Sequence, residues 1–229
     1  FLEEINCPVY KIASLETGDL DLIGYAASTG KPLIISTGAT ELEEIDAALR
    51  AARAGGCKDV TLLVCTSSYP GNPRDSHLLR IKTLREKFNV PVGLSDHTLG
   101  ISVSLAAIAL GATVIEKHLT LSRSDGGHDS QFSLEPSEFE QLVKEGNIVV
   151  EALGSEKWSI QNSEYESRQL RRSLYIVQDV KKGDVATREN VKALRPNKGG
   201  PISDLVFILG KTFRDDYESG TSATVNCVE

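Results

Sequence analysis

Two short stretches decide the fold, VGLSDHTLG (92–100) and VIEKHLT (114–120). Each opens on a short apolar run and breaks into polar residues, Ser95-Asp96-His97 in the first and Glu116-Lys117-His118 in the second. Runs of this length bounded by polar residues read as buried strands. Two strands that each deliver a histidine at the same relative point raise the question of whether something is held between them. Working outward, comparable runs occur at Val9–Ile12, Leu33–Ile35, Val60–Val64, Val90–Leu94 and Thr113–Ile115. Their separation, about 20 to 30 residues, is what a strand, a loop and a returning helix require, so the reading is α/β with parallel strands and crossover helices.

The intervening segments carry helix signals. Thr40-Glu41-Leu42-Glu43 predicts a capped helix start, with Leu42, Ile45, Leu49 and Ala52 on one face and Gly55-Gly56 as the stop. ISVSLAAIAL (101–110) is apolar almost all round and predicts a helix lying against the sheet with little exposure, ending at Gly111. Pro136 opens a further helical pattern over 136–153. Past Gly154 the rhythm changes: 155–170 is polar and reads as a linker or an exposed helix, with the linker placed at 155–167. The β-like runs Ser173–Val177, Val191–Leu194 and Ala223–Val225, between turn-rich segments, predict a small β-rich domain over 168–229. The larger domain is then 1–154.

With 229 residues, 40% of them hydrophobic, the chain can bury a sizeable core. A net charge of −7 with dispersed acids lacks the basic footprint of a nucleic-acid binder. No run approaches the roughly 20 apolar residues of a membrane span, so the expectation is a cytoplasmic protein working neither on nucleic acid nor in a membrane. Cys7, Cys57, Cys65 and Cys227 show no C-x-x-C spacing and read as free thiols in a reducing compartment. The chain opens at Phe1 and contains no methionine, which is read as a piece of a longer polypeptide.

Ligands of parallel α/β folds sit off the carboxyl ends of the strands. Those ends present Ser14 and Glu16; Ser36, Thr37 and Gly38; Thr66, Ser67, Ser68 and Tyr69; Ser95, Asp96 and His97; and Glu116, Lys117 and His118. Neutral imidazoles at His97 and His118 could ligate Mn²⁺, Fe²⁺, Co²⁺ or Zn²⁺, or serve as hydrogen-bonded scaffold. Lys11 with Ser14, Ser36 and Ser95 could hold a phosphate or carboxylate, or the hydroxyls could simply terminate strands. Strand alternation puts Ser14 and Glu16 on one face, with Lys11 joining them only through a local irregularity. His77 reads as surface, and His128 in Gly126-Gly127-His128-Asp129 as a residue able to line the mouth. Neither a Walker loop nor a G-x-G-x-x-G is present, so nucleotide binding has no support.

The stretches KIASLE, GKPLIISTGA, CTSSYP, VPVGLSDHTLG, ALGATVIEKHLTLSRSDGG and FSLEP, followed by RRSLYIVQDVKKGD and LRPNKGG, resemble the sialic acid synthase family across nearly the whole chain. KIASLE, CTSSYP and LTLSRSDGG look more like its pseudaminic branch than its N-acetylneuraminate branch. The resemblance implies a (βα)8 TIM-type barrel, here apparently without its N-terminal strands, followed by a small antifreeze-like (SAF) domain, in a domain-swapped homodimer. It implies condensation of phosphoenolpyruvate with an acetamido sugar aldehyde, 2,4-diacetamido-2,4,6-trideoxy-altrose for the pseudaminic branch, giving a nine-carbon 2-keto acid and phosphate. It also implies a divalent metal, Mn²⁺ first, with Mg²⁺ or Co²⁺ as alternatives.

Carried onto matching positions, His97 and His118 would hold the metal, and Lys11, Ser14, Ser36 and Ser95 would grip phosphoenolpyruvate. Glu16, Tyr69 and Asp129 would lie near the sugar and reacting centre, and Glu116 would orient a ligand. Ser67 falls where the sialic branch has asparagine, and His128 where proline is usual. Arg195 matches an arginine that the antifreeze-like domain inserts into the partner subunit's site. An early glutamate and a second phosphate-binding lysine of the family, which precede KIAS, are not in this chain, so the fragment is expected to be inactive alone. Competing readings are an N-acetylneuraminate or legionaminate synthase, a non-catalytic carbohydrate-binding protein, and another metal-dependent barrel enzyme such as an aldolase, which leaves the C-terminal domain unexplained.

Overall fold

Five parallel strands lie side by side in chain order: β1 (Tyr10–Ile12), β2 (Leu33–Ser36), β3 (Val60–Cys65), β4 (Val92–Asp96) and β5 (Ile115–Lys117). The computed structural model describes residues 1–229 and divides them into two units, Phe1–Ser155 and Glu156–Glu229. Helices α1 (Leu20–Ala27), α2 (Leu42–Ala54), α3 (Arg80–Phe88) and α4 (Ser102–Ala109) return the chain between strands, and α5 (Pro136–Leu153) follows β5. Each crossover advances by one strand with no reversal of order. The sheet is therefore singly wound, unlike the dinucleotide-binding type.

Alternation sorts the two faces. Tyr10, Ile12, Leu33, Ile35, Leu62, Val64, Val92 and Leu94 join the helices in one core with Ile23, Leu49, Ile81 and Ala107. The register Lys11↔Ile34, Ser36↔Leu63, Cys65↔Ser95↔Glu116 runs along the opposite face. Lys11 on one edge strand places its Nζ 3.5 Å from Glu116 Oε2 on the other. In a flat sheet strands four steps apart are about 19 Å from each other. The sheet is thus curled into an arc whose concave face carries Lys11 and Glu116. Gly93 permits the tight curl, since a Cβ there would meet the Val114 carbonyl at 2.2 Å and Leu63 Cδ2 at 2.7 Å.

Several details depart from the sequence reading. Strands β4 and β5 extend through Asp96 and Lys117, so Ser95-Asp96 and Glu116-Lys117 are strand residues on alternate faces and do not form part of one rim. KIASLE leaves the strand after Ile12 and turns through a 3-10 helix at Ser14–Glu16, which replaces the expected period-two relation. Helix α2 is capped one residue later than expected, by Glu41 with a reciprocal bond to Glu44, while Thr40 Oγ1 donates to the Thr37 carbonyl. Helix α4 buries only Ser104 and Ala107, and Leu110, directly after it, is 41% exposed. A helix apolar all round can turn only part of its surface to α5 and the sheet, so the expectation of little exposure fails there.

In the second unit α6 (Tyr165–Gln169) precedes an antiparallel pair, β6 (Ser173–Ile176) and β7 (Val191–Leu194), with α7 (Leu205–Ile208) beyond. Leu174, Ile176, Val191, Ile208, Phe213 and Val228 close a separate core. The expected third strand at Ala223–Val225 is instead irregular: Tyr175 makes an isolated bridge to Ser222, and Val225–Cys227 is a 3-10 turn.

Candidate active site

The concave face leads, at the carboxyl ends of the strands, into a cluster to which all five contribute. Ser14, on the turn after β1, is buried and its Oγ accepts from the Gly38 N–H at 2.9 Å. Gly38 is a point of close approach, because a Cβ there would meet Ser67 Oγ at 2.2 Å, Ser14 Oγ at 2.8 Å and Cys65 Sγ at 3.1 Å. Thr17 braces this turn by donating to the Ser36 carbonyl at 2.8 Å. Ser36 itself ends β2 with its Oγ buried and without a hydrogen-bond partner. A buried hydroxyl without a partner is costly, and it leaves a donor free for a further contact.

Across the arc, Ser95 Oγ donates to Glu116 Oε1 at 2.6 Å while Glu116 Oε2 faces Lys11. Lys11 Nζ also donates to the Ile12 carbonyl at 3.1 Å. A cation, a carboxylate and hydroxyls therefore share one concave surface, which suits an anionic ligand of several oxygens.

The two histidines follow directly after β4 and β5. Their ring centroids are 5.2 Å apart in an edge-on arrangement. Tyr69 packs on His97 at 4.3 Å and Phe132 on His118 at 5.0 Å, giving a run of four rings. His97 Nδ1 lies 3.1 Å from the Thr66 carbonyl, which can only accept, so Nδ1 carries the proton and Nε2 keeps its lone pair when the ring is neutral. Cys65 Sγ approaches the same ring at 4.0 Å.

Burial works against charge on His97, but the Cys65 sulfur, the Thr66 carbonyl and Glu116 together raise its pKa above the ordinary imidazole value. Burial raises the Cys65 thiol, yet bonds to His97, Ser14 and Ser95 outweigh it and leave the pKa lowered. For His118, burial and then the neighbouring His97 hold the pKa below the ordinary value. Asp129 Oδ2 faces His118 Nδ1 at 3.6 Å, longer than a direct hydrogen bond.

The structure thus brings together Lys11, Ser14, Ser36, Ser67, Tyr69, Ser95, Glu116, His97, His118 and Asp129. Glu16 is exposed on the turn after β1. Arg195 lies in the second unit directly after β7, where Ser173 Oγ ties the following turn by donating to the Pro196 carbonyl and accepting from Gly199 N. Sequence reasoning missed Cys65 and Phe132. Cys65 was detectable as the concave-face residue two after Leu63, whereas Phe132, in a loop without periodicity, was marked only as the first residue of the FSLEP stretch.

His97 and His118 are the donors able to hold a cation between β4 and β5. No group of three His, Cys, Asp or Glu side chains converges for one. Two imidazoles leave the remaining coordination positions to water or substrate oxygens, an arrangement that fits an open catalytic ion better than a closed structural one.

Residues 1–158 match the NeuB family and residues 171–229 the SAF domain. The chain belongs to the NeuB family. It is 44% identical over its whole length to the pseudaminic acid synthase of Helicobacter pylori, covering 67% of that protein. It is 36% identical to an N,N'-diacetyllegionaminic acid synthase of Campylobacter jejuni, over 95% of this chain and 66% of that one. A crystal structure of N-acetylneuraminic acid synthetase from Leptospira borgpetersenii in complex with citrate superposes with a TM-score of 0.68 at 39% identity, over 72% of this chain and 58% of that one. The chain spans about two thirds of the length of the curated relatives it matches. The five-stranded arc and the small antiparallel unit are accordingly the TIM-type and SAF parts of this family's architecture. No helix is long and apolar enough to cross a membrane.

Proposed function

We propose that the protein is a pseudaminic acid synthase, a transferase that joins C3 of phosphoenolpyruvate to the aldehyde carbon of 2,4-diacetamido-2,4,6-trideoxy-altrose. Water adds at C2 of the former enol, phosphate leaves with cleavage of the C–O bond, and a nine-carbon 2-keto acid remains. The observation that carries this reading is the pair of imidazoles, 5.2 Å apart, beside a concave surface holding Lys11 and the unpartnered Ser36 hydroxyl. The choice of sugar rests on the 44% identity to a pseudaminic acid synthase against 36% to a legionaminic one.

In this reading Lys11, Ser14, Ser36 and Ser95 hold the phosphate and carboxylate of phosphoenolpyruvate, with Ser36 donating its free hydroxyl. A divalent ion held by His97 and His118, Mn²⁺ in the first instance and Mg²⁺ or Co²⁺ otherwise, supplies Lewis-acid polarisation of the aldehyde oxygen. Thr66 fixes the His97 tautomer, and Asp129 favours the orientation of His118 in which Nε2 is free. Glu116 holds Lys11 and the Ser95 hydroxyl at the concave face, and both donors turn from its carboxylate to the anion when the anion binds. Glu16, Ser67, Tyr69 and Asp129 border the sugar, Tyr69 and Phe132 excluding water beside the rings. The C-terminal unit of a second copy, in a domain-swapped homodimer, brings its Arg195 to an acetamido group. Four free cysteines suit the reducing cytoplasm as the place of work.

The test is phosphate release from phosphoenolpyruvate by the full-length polypeptide, offered several acetamido sugars with and without Mn²⁺. Metal-dependent release, fastest with the 2,4-diacetamido altrose and abolished by His97→Gln, is the expected result. Absence of release with every sugar would overturn the reading in favour of a carbohydrate-binding role.

A further inference from the structure

One part of the two decisive stretches has no role in the reaction above: Asp96 and Lys117, each the residue immediately before a site histidine. Both side chains are 1% exposed, and Lys117 Nζ lies 2.9 Å from Asp96 Oδ2. They are register partners across β4 and β5, the last rung of that ladder before the chain reaches His97 and His118. Because strand residues alternate, the pair points to the helix side while the reacting surface lies on the other.

The contacts of the pair converge on the chain around His97. Asp96 Oδ1 accepts from both the backbone N–H and the hydroxyl of Thr98, at 2.8 and 2.7 Å. Lys117 Nζ donates to the Thr98 carbonyl at 2.7 Å. The residues on either side of His97 are thereby gripped from β5, and His118 follows directly after that strand. Ser104 Oγ, on α4, donates to Asp96 Oδ2 at 2.6 Å and anchors the grip in the helix layer. Every oxygen of the buried carboxylate has a partner, the condition under which a buried charge pair is rigid and specific.

We infer that the Asp96–Lys117 pair is a positioning device: by clamping Thr98 it fixes the turn bearing His97 against the strand bearing His118 and so sets the separation of the two imidazoles. Neither residue touches substrate. The inference takes its functional meaning from the reading of His97 and His118 as metal ligands, but the separation of the rings is measurable without any metal.

Removing one charge alone would leave the other buried, so the informative variant is Asp96→Asn with Lys117→Met, which removes both. A milder variant, Thr98→Val, deletes only the hydroxyl that Asp96 holds and serves if the double variant does not fold. Two readouts are taken on the full-length protein: the nuclear Overhauser effect between the ring protons of His97 and His118, and Mn²⁺ affinity from the free-ion electron paramagnetic resonance signal. Thermal melts report the fraction folded.

Expected is a folded variant in which the ring-to-ring signal is lost or sharply reduced and Mn²⁺ binds about tenfold more weakly, the scale seen when a ligand's support is removed. A folded variant with a lowered melting temperature but an unchanged ring-to-ring signal would overturn the inference, leaving the pair as a stabilising contact only. Failure of the unmodified protein to bind Mn²⁺ would sink the metal reading alone, and the ring-to-ring signal would still decide the role of the pair.

Discussion

The two faces of the β4–β5 pair carry similar chemistry to opposite ends. On the helix side, Asp96 and Lys117 meet at 2.9 Å with 1% exposure each. On the concave side, Lys11 and Glu116 meet at 3.5 Å with 32% and 40% exposure. A carboxylate and an ammonium are present in both places, and the difference is water. The sealed pair has every group satisfied from within and cannot take a ligand without being broken. The open pair is loosely matched, shares its face of the sheet with the unpartnered Ser36 hydroxyl, and can exchange its contacts for those of an anion. The alternation of side chains on β4 and β5 thus separates a contact sealed among the helices from an open face able to take an anion.

The largest effect should come from breaking the sealed pair on one side. Asp96→Ala leaves the Lys117 ammonium buried without a counter-charge, and such a change costs about 3–5 kcal/mol. Urea unfolding followed by circular dichroism checks it. The same pair gives a sign for acid. Burial pushes the Asp96 carboxyl up, but bonds from Ser104, Thr98 and Lys117 outweigh this and hold its pKa below the ordinary carboxylate value. A group depressed on folding contributes fully above its unfolded pKa, and that contribution is lost as pH falls through the folded value. The wild-type protein should therefore lose stability on acidification below the ordinary aspartate range, and the Asp96→Asn/Lys117→Met variant should show a shallower loss over the same range.

Packing at the open face gives the next effect. Gly38→Ala drives a methyl against Ser67 Oγ at 2.2 Å and Ser14 Oγ at 2.8 Å, so the turn and its hydroxyls must shift. Overpacking of this kind costs about 1–3 kcal/mol. Since Ser14 and Ser67 belong to the proposed substrate cluster, KM for phosphoenolpyruvate should rise as well. A melting curve with steady-state kinetics on one preparation separates the two losses.

How much of this was legible beforehand follows the same division of faces. The strand runs and their spacing were readable because burial between helix layer and sheet demands apolar residues, as at Val60, Leu62 and Val64. His97 and His118 stood out because two strands ended alike. The fate of Asp96 and Lys117 was not readable: deciding it needed the true strand ends, and shifting β5 from Thr113–Ile115 to Ile115–Lys117 turns a rim lysine into a buried one. Lys11 shows the converse. Alternation seemed to set it apart from Ser14, yet the turn at Ser14–Glu16 brings the serine back beside the concave face by a route no period-two rule contains. The contact between Lys11 and Glu116 depends on the curl of five strands, a property of the whole sheet and of no local stretch.

The smallest expected effect on stability, and the sharpest test of the comparison, is Lys11→Met. Its partner Glu116 remains 40% exposed and keeps the Ser95 hydroxyl, so no buried charge is abandoned. Part-exposed ion pairs of this kind contribute about 0–1 kcal/mol, and the methionine retains most of the aliphatic stem. The melting temperature should hardly move. Affinity for phosphoenolpyruvate, if Lys11 is held in readiness for its anionic oxygens, should fall by tenfold or more, read as a rise in KM or by calorimetric titration. A variant that lost several kcal/mol of stability while binding phosphoenolpyruvate normally would reverse the assignment of the two faces, making the open pair structural and sending the search for the anion grip elsewhere in the arc.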